Sequence, residues 1–276
     1  MFEDYVKIRS LGMGSYGSIY LYENSKSDQI VLKKIYFDND TELIYCDKIN
    51  DLDIKGLMKY YGKDGKNIYY EYIEGKKITT FRFTSSFKEY LKILQDIVII
   101  LYELEQKSYY YLDISKDNIL IQKNNIVRLI DYSTLCPFDK EHVNGVGTYL
   151  MTPPELFLKK EVIKNKFDVF SIGVLLYEYL FFHNPIGKIK NYKKSWIFCK
   201  HNICSEKTKC LTNNIEILFN NNRCKKDLSE NDKQICKKIL QKCLAWNHSK
   251  RWTIKELFQY FELSGSDVQE SHMPLP

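Results

Sequence analysis

The chain has 276 residues, of which 44% are hydrophobic, and this content excludes an intrinsically disordered protein. Its 41 Lys and Arg against 35 Asp and Glu leave a formal charge of +6, which is too small to indicate a nucleic-acid binder by itself. Only five of these cationic residues are Arg, so each Arg is a stronger candidate for a specific structural or functional role than each Lys.

The first residues show no signal peptide, because no basic segment is followed by an apolar run. The longest apolar runs, around residues 97–102 and 173–182, are shorter than the roughly 20 residues of a membrane span. Eight Cys in this context are typical of reduced thiols rather than of a disulfide framework. The sequence therefore predicts an intracellular protein of the cytoplasm or nucleus, without a transmembrane segment.

The first third of the chain is predicted to form strands. Alternating or β-rich runs are separated by clusters of Gly, Asn, Asp and Lys, and they cover residues 5–9, 18–22, 30–36, 57–61 and 68–73. One helical stretch at residues 40–50 interrupts them, with N-cap candidates at residues 38–40.

After Glu74-Gly75 the pattern changes to long helical periods, at residues 86–107, 169–182, 232–246 and 253–261. This change divides the chain into a β-rich domain at residues 1–75 and a mainly α-helical domain at residues 76–262. A tail at residues 263–276 follows. We therefore expect an α+β protein of two lobes, with a ligand site in the cleft between them.

A glycine-rich run, Gly12-Met13-Gly14-Ser15-Tyr16-Gly17, stands between the first two predicted strands. Such a backbone can pass close to phosphate oxygens, although the same spacing also occurs in dinucleotide-binding units and in plain turns. A dinucleotide-binding unit needs a helix directly after the glycines and an acid about 20 residues later. Here a strand follows instead, and Lys33 lies on the strand after that.

Lys33 on a strand that faces a glycine-rich flap can hold phosphate oxygens, and Glu42 in the predicted helix can pair with it. A surface lysine and a solvated helix glutamate are the alternatives for these two residues. Further along, Asp113, Asn118 and Asp131 follow the long helix and a short strand. Their oxygens suit Mg²⁺ and an attacking hydroxyl, and phosphoryl transfer needs mainly positioning and charge neutralisation.

These motifs, in this order, resemble those of eukaryotic-type protein kinases over residues 5–261. The resemblance implies the bilobal protein kinase fold, of α+β class, with ATP and Mg²⁺. It also implies that Asp113 accepts the proton of the substrate hydroxyl, while Asn118 and Asp131 hold the metal. Lys33, positioned by Glu42, would hold the α- and β-phosphates. The other residues implied to surround the nucleotide are Leu11, Gly12, Met13, Gly14, Ser15, Tyr16, Gly17, Ile19, Val31, Glu71, Ile73 and Leu120, with Tyr70 as gatekeeper.

Gly147-Thr148 and Pro153-Pro154-Glu155 resemble the end of the family's activation segment, and Arg251 is the implied partner of Glu155. Asp168 is implied to begin the central helix of the large lobe. The Gly-Thr pair favours protein Ser and Thr residues as substrates. Small-molecule phosphotransferases typically lack this segment and rank lower.

Three residues depart from the family pattern. Leu112 replaces the Arg that anchors a phosphorylated activation segment, so we expect activity without phosphorylation at Thr134 or nearby. Ser115 replaces the Lys that meets the γ-phosphate, with Lys116 one position later. Ser133 replaces a flexible Gly and should stiffen the turn after Asp131. These replacements keep open a second hypothesis, a catalytically impaired pseudokinase that acts as a nucleotide-binding scaffold.

Most of the positive charge falls in residues 186–250, with 15 Lys and Arg against 5 Asp and Glu. This stretch could dock an acidic partner, although a solvated surface is the simpler interpretation and a nucleic-acid partner is not favoured. Cys199, His201, Cys204 and Cys210 in the same stretch fit no familiar zinc spacing, which favours free thiols.

Overall fold

The computed structural model of the chain describes residues 2–14, 17–37, 41–139, 147–157, 162–185, 215, 219, 224 and 227–269. Strands dominate the first part and helices the second, which confirms the predicted α+β class. The strands are β1 (Val6–Met13), β2 (Gly17–Glu23), β3 (Gln29–Ile35), β4 (Tyr60–Asp64), β5 (Asn67–Glu71), β6 (Lys76–Lys77), β7 (Tyr109–Tyr110), β8 (Ile119–Ile121), β9 (Val127–Leu129) and β10 (Cys136–Pro137). The helices are α1 (Thr41–Tyr45), α2 (Ile78–Thr84), α3 (Phe87–Gln106), α4 (Pro154–Phe157), α5 (Lys164–Phe181), α6 (Glu230–Cys243) and α7 (Ile254–Gln269).

The first part is a five-stranded antiparallel sheet in the order β1-β2-β3-β5-β4. Strand β3 lies at its centre, so its inward side chains are buried from both sides. The register places Lys33 opposite Ile19 on β2 and opposite Ile68 on β5. As a result, Lys33 is only 4% exposed.

Helix α1 is shorter than the predicted helix at residues 40–50. After Tyr45 the chain continues in two short 3₁₀ turns, Cys46–Lys48 and Asn50–Leu52, and Asp53 then takes a left-handed conformation with φ of 48°. Asp47, Asn50 and Asp51 lie in these turns, where Asn and Asp are favoured over helix interiors because their side chains compete for backbone hydrogen bonds.

The strand predicted at residues 57–61 begins only at Tyr60, because residues 56–58 pair with the second part of the chain instead. Leu57 forms a parallel bridge with Leu129 of β9. The Leu129 N–H donates to the Gly56 carbonyl at 2.8 Å, and the Met58 N–H donates to the Leu129 carbonyl at 3.2 Å. We call this pairing of residues 56–58 with β9 the seam, and it joins the two lobes away from the connecting segment at residues 72–75.

The helices of the second part pack around α5, which is buried on all sides over most of its length. Gly173 allows α6 to approach, since a Cβ there would lie 2.7 Å from the Cys243 Cβ. Helix α7 packs on α3, with the rings of Tyr102 and Phe258 stacked at 4.3 Å. Helix α7 extends to Gln269, past residue 263, where the predicted tail begins.

Among the described residues, no helix is long and apolar enough to span a bilayer. Cys46, Cys136, Cys224, Cys236 and Cys243 form no disulfide bond with any described residue. Several predictions fall outside the described residues: the N-cap candidates at 38–40, Ser15 and Tyr16 of the glycine-rich run, the four Cys and His residues at 199–210, and most of the basic stretch at 186–250. Docking of an acidic partner there stays a prediction.

Candidate active site

Lys33 lies between two carboxylates at the centre of the site. Its Nζ forms an ion pair with Glu42 on α1 and another with Asp131 Oδ1 at 2.8 Å. Burial opposes charge on Lys33, but the two carboxylates outweigh this effect and hold its pKa above the ordinary value. Glu42 is fully buried and its second oxygen accepts a hydrogen bond from the Tyr70 hydroxyl at 2.8 Å. The predicted pairing of Lys33 with Glu42 therefore forms.

Asp131 lies in a tight turn after β9 and has a left-handed backbone with φ of 68°. Its Oδ1 accepts hydrogen bonds from the Ser133 N–H at 3.1 Å and from the Ser133 hydroxyl at 2.8 Å. Although burial disfavours its charge, Lys33 and Ser133 hold the pKa of Asp131 below its ordinary value. Ser133 thus donates twice to Asp131 Oδ1 across the turn, and the expected stiffening of the turn stays a prediction.

Asp113 is held between two side chains in the loop before β8. The Thr148 hydroxyl donates to its Oδ1 at 2.7 Å, and the Asn118 amide donates to its Oδ2 at 2.7 Å and to its carbonyl at 3.1 Å. Burial raises the pKa of Asp113 to about 6, and the bonds from Thr148 and Asn118 oppose this rise. Thr148 therefore reaches Asp113 from the segment that resembles the end of an activation segment.

The backbone around Asp113 is fixed by Asp168 in the second turn of α5. Its carboxylate accepts the N–H of Leu112 at 2.9 Å and the N–H of Ile114 at 3.4 Å. Burial raises the pKa of Asp168 to about 7. The resemblance implies that Asp168 begins the central helix, whereas α5 begins at Lys164. The two bonds from Asp168 to the loop of Asp113 are not predicted from the sequence.

The three glycines of the glycine-rich run serve two purposes. The Gly14 N–H donates to the Gly17 carbonyl at 2.9 Å and closes the turn between β1 and β2. A Cβ at Gly17 would lie 2.5 Å from the Lys34 carbonyl oxygen, whereas a Cβ at Gly12 or Gly14 would have no atom of the described residues within 4 Å apart from its chain neighbours. Packing against β3 therefore requires Gly17, and Gly12 and Gly14 leave space for another molecule. Leu11 and Met13 beside them are exposed.

The residues expected around an adenine fall into one apolar group. Val31 and Ile73 are buried in the main core, and Ile19 and Leu120 pack against that core from β2 and β8. Glu71 differs, because its carboxylate is paired with Arg128 and also accepts the Lys59 N–H at 3.2 Å. Its side chain is thus engaged within the protein.

Leu112, in place of the family's Arg, has a left-handed backbone with φ of 61° and is fully buried. It packs in a small apolar cluster with Tyr110, Cys136 and Phe167. Thr134, the phosphorylation site considered above, is also buried, and its hydroxyl donates to the Tyr111 carbonyl at 2.9 Å. In this structure the Thr134 hydroxyl is buried, and the apolar Leu112 side chain carries no charge that could bind a phosphate.

Neither Ser115 nor Lys116 provides an unpaired positive charge in place of the family's Lys. Ser115 is 1% exposed, and its hydroxyl has no hydrogen-bond partner among the described residues. Lys116 instead forms an ion pair with Glu178 on α5 at 2.9 Å. Sequence reasoning missed Glu178, although a carboxylate inside the apolar run at residues 174–182 is a usable signal, because a buried charge needs a partner.

Glu155 on α4 and Arg251 after α6 form the buried pair that the resemblance implies. The Arg251 Nη1 and Nη2 atoms lie 2.5 and 3.0 Å from the two carboxylate oxygens. The same guanidinium donates twice to the Ala245 carbonyl, at 3.0 and 3.3 Å. This bidentate pair ties the segment after Thr148 to the helical lobe.

Asp131 Oδ2 and the Asn118 side-chain oxygen are the groups suited to a hard cation such as Mg²⁺. Within the part of the chain that the structure describes, no three His, Cys, Asp or Glu side chains are grouped so as to hold a metal by themselves. The donor set thus fits a metal that takes further oxygens from a bound ligand, such as phosphate oxygens.

A sheet lobe and a helical lobe that bring together a Lys–Glu pair, a loop Asp beside an Asn, and a turn Asp define the protein-kinase class of fold. The chain belongs to the protein kinase family, since the family model for the protein kinase domain matches residues 5–261.

Curated relatives are serine/threonine-protein kinases at modest identity. The chain is 24% identical to ppk6 of Schizosaccharomyces pombe, over 67% of this chain and 27% of that protein. It is 25% identical to MRCK alpha of Homo sapiens, over 71% of this chain and 13% of that protein. It is 26% identical to ppk11 of Schizosaccharomyces pombe, over 71% of this chain and 68% of that protein. The match thus spans a small part of ppk6 and MRCK alpha and about two thirds of ppk11.

Proposed function

We propose that the chain is an active protein kinase that transfers the γ-phosphoryl group of ATP to Ser or Thr hydroxyls of protein substrates. The observation that carries this proposal is the joint assembly of two groups of side chains. One consists of Lys33, Glu42 and Asp131, and the other of Asp113 with Asn118 and Thr148. The first group suits nucleotide and metal binding, and Asp113 in the second suits acceptance of a proton from a hydroxyl.

Asp113 is the group that orients the substrate hydroxyl and accepts its proton. With a pKa of about 6, its carboxylate is ionised at neutral pH, and it is more basic than an ordinary Asp, which favours proton transfer. The bonds from Thr148 and Asn118 hold the carboxylate in one orientation. Positioning of this kind supplies a large part of the rate in phosphoryl transfer.

Lys33 is the cation for the α- and β-phosphates, and its ion pair with Glu42 limits where its Nζ can lie. Mg²⁺, held by Asp131 and Asn118, would neutralise charge on the phosphate oxygens. Gly12 and Gly14 leave the space through which the backbone of the β1–β2 turn approaches those phosphates. The apolar group of Ile19, Val31 and Leu120 would take the adenine.

Serine or threonine specificity is supported by the names of the relatives and by the position of Thr148 beside Asp113. One observation favours the alternative, a pseudokinase scaffold that binds nucleotide without transfer. Lys116 is paired with Glu178, so the catalytic loop supplies no second cation for the γ-phosphate.

Labelling with γ-labelled ATP and Mg²⁺ on a generic protein substrate separates the two candidates. We expect the parent chain to transfer label and the variants Asp113→Asn, Lys33→Met and Asp131→Asn to lose transfer. Lys34→Met is the matched control, because Lys34 is the next residue on β3 and its side chain is exposed. Nucleotide-dependent thermal stabilisation of the parent without any labelling would support the scaffold instead.

A further inference from the structure

Three buried tyrosines line the interior behind the Lys33–Glu42 pair. Tyr70, Tyr111 and Tyr132 are each at most 1% exposed, and the rings of Tyr70 and Tyr132 meet edge to face at 6.0 Å. A buried phenol needs a hydrogen-bond partner. Each of the three hydroxyls donates to a specific acceptor, and these acceptors indicate which parts of the site the tyrosines hold.

The partners are parts of the candidate site or its supports. The Tyr70 hydroxyl donates to Glu42 Oε1 at 2.8 Å, on the oxygen that Lys33 does not use. Glu42 lies on a helix of only five residues, which gives little support of its own. Tyr70 lies on β5, a strand paired on both sides. The hydroxyl thus connects a weakly supported carboxylate to a rigid sheet.

Tyr132 directly follows Asp131, and its hydroxyl donates to the Met58 carbonyl in the seam at 2.9 Å. On the other side of the turn, the Tyr111 hydroxyl donates to the carbonyl of Ile130, the residue before Asp131. The backbone on both sides of Asp131 is thus anchored by a phenol.

We propose that the hydroxyls of Tyr70 and Tyr132 are positioning groups for the nucleotide site. Tyr70 holds Glu42 against Lys33, and Tyr132 holds the Asp131 turn against the seam, so the site is assembled before any change in the activation segment. This proposal rests on the proposed function, because it concerns the same site. It accounts for the absence of the family's Arg at Leu112, since a site held by internal bonds needs no phosphate anchor.

A simpler explanation is that these hydroxyls only contribute to general stability. Tyr90 offers the matched control, because it is 2% exposed and its hydroxyl donates to the Leu175 carbonyl at 3.3 Å, within the helical lobe. Tyr90→Phe removes one buried hydroxyl bond without touching the site. Loss of global stability lowers the active fraction, and with it the apparent kcat, but it leaves the KM values unchanged.

The test uses the full chain with Tyr70→Phe, Tyr132→Phe and Tyr90→Phe, and it measures kcat together with the separate KM values for Mg-ATP and for a peptide substrate. We expect Tyr70→Phe to raise the KM for Mg-ATP roughly tenfold, the effect of one hydrogen bond to a charged group. The KM for the peptide should not change. Tyr132→Phe should raise the KM for Mg-ATP by about threefold, as expected for a neutral bond. If both variants behave like Tyr90→Phe, the proposal is wrong.

Amide hydrogen exchange gives a second readout that does not depend on catalysis. We expect faster exchange of residues 41–45 in Tyr70→Phe and of residues 130–134 in Tyr132→Phe, with neither change in Tyr90→Phe. If the parent chain transfers no phosphate, the proposed kinase activity fails, and exchange alone then decides the positioning role. Unchanged exchange in both segments would overturn it.

Discussion

The buried pair of Arg251 and Glu155 should be the most sensitive ion pair in the described part of the chain. Arg251→Met keeps much of the side-chain volume but removes the cation. Glu155 would then keep a charge at 2% exposure without its two bonds from the guanidinium. The Ala245 carbonyl would lose two donors at the same time.

The expected loss of unfolding free energy follows from the unpaired Glu155 carboxylate that Arg251→Met leaves in the core. Removal of one partner from a buried ion pair costs about 3–5 kcal/mol of unfolding free energy, because an uncompensated charge stays in the core. The double variant Arg251→Met/Glu155→Gln removes that charge and should recover part of the loss. Lys92 is the control, since its pair with Asp96 on α3 is exposed and one helical turn apart. Lys92→Met should cost no more than about 0.5 kcal/mol.

Urea denaturation followed by tryptophan fluorescence measures these differences, and Trp252 lies next to Arg251 in the chain. Two results would refute the reasoning. One is a loss below about 1 kcal/mol for Arg251→Met. The other is a double variant as unstable as the single one, which would show that lost packing rather than an unpaired carboxylate dominates.

Three further predictions concern the catalytic loop. Thr148→Val removes a bond that lowers the pKa of Asp113, so the acid limb of kcat/KM, set by a pKa of about 6, should move to higher pH; a limb that stays in place would exclude Asp113 as the titrating base. Lys116→Met should change kcat by less than about threefold, because Glu178 already holds this lysine. A loss of a hundredfold or more would mean that Lys116 leaves Glu178 and acts on the phosphates. Leu112→Arg restores the family's residue but places a charge in an apolar cluster, and it should lower the unfolding free energy by about 3 kcal/mol or more. Unchanged stability in a urea titration would contradict this.

The order of short motifs was sufficient to predict which residues meet in the site. Lys33 and Glu42 pair, and Asp113 lies beside Asn118, because each motif is tied to one local element whose place follows from the fold. The sheet strands were predictable from alternation for a similar reason. The short motifs and the alternation of apolar and polar residues are both read from neighbouring positions in the sequence.

Contacts between distant residues could not be predicted in this way. Leu57 has the pattern of a strand residue, yet it pairs with Leu129, 72 positions further on. Glu178 takes Lys116 away from the phosphates, and nothing in the spacing of these two residues indicates it. Helix α7 continues through Ser, Gly and Asp at residues 264–267, although these residue types usually favour turns and helix ends. These outcomes depend on the tertiary partners available to each residue.

The seam between residues 56–58 and β9 also determines how the lobes can move. Leu129 exchanges two backbone hydrogen bonds with Gly56 and Met58 in the seam, and the Lys33–Asp131 ion pair also links the two lobes. Sliding or twisting of one lobe over the other would break the two Leu129 bonds, so we expect the seam to restrict such motion during nucleotide entry and release.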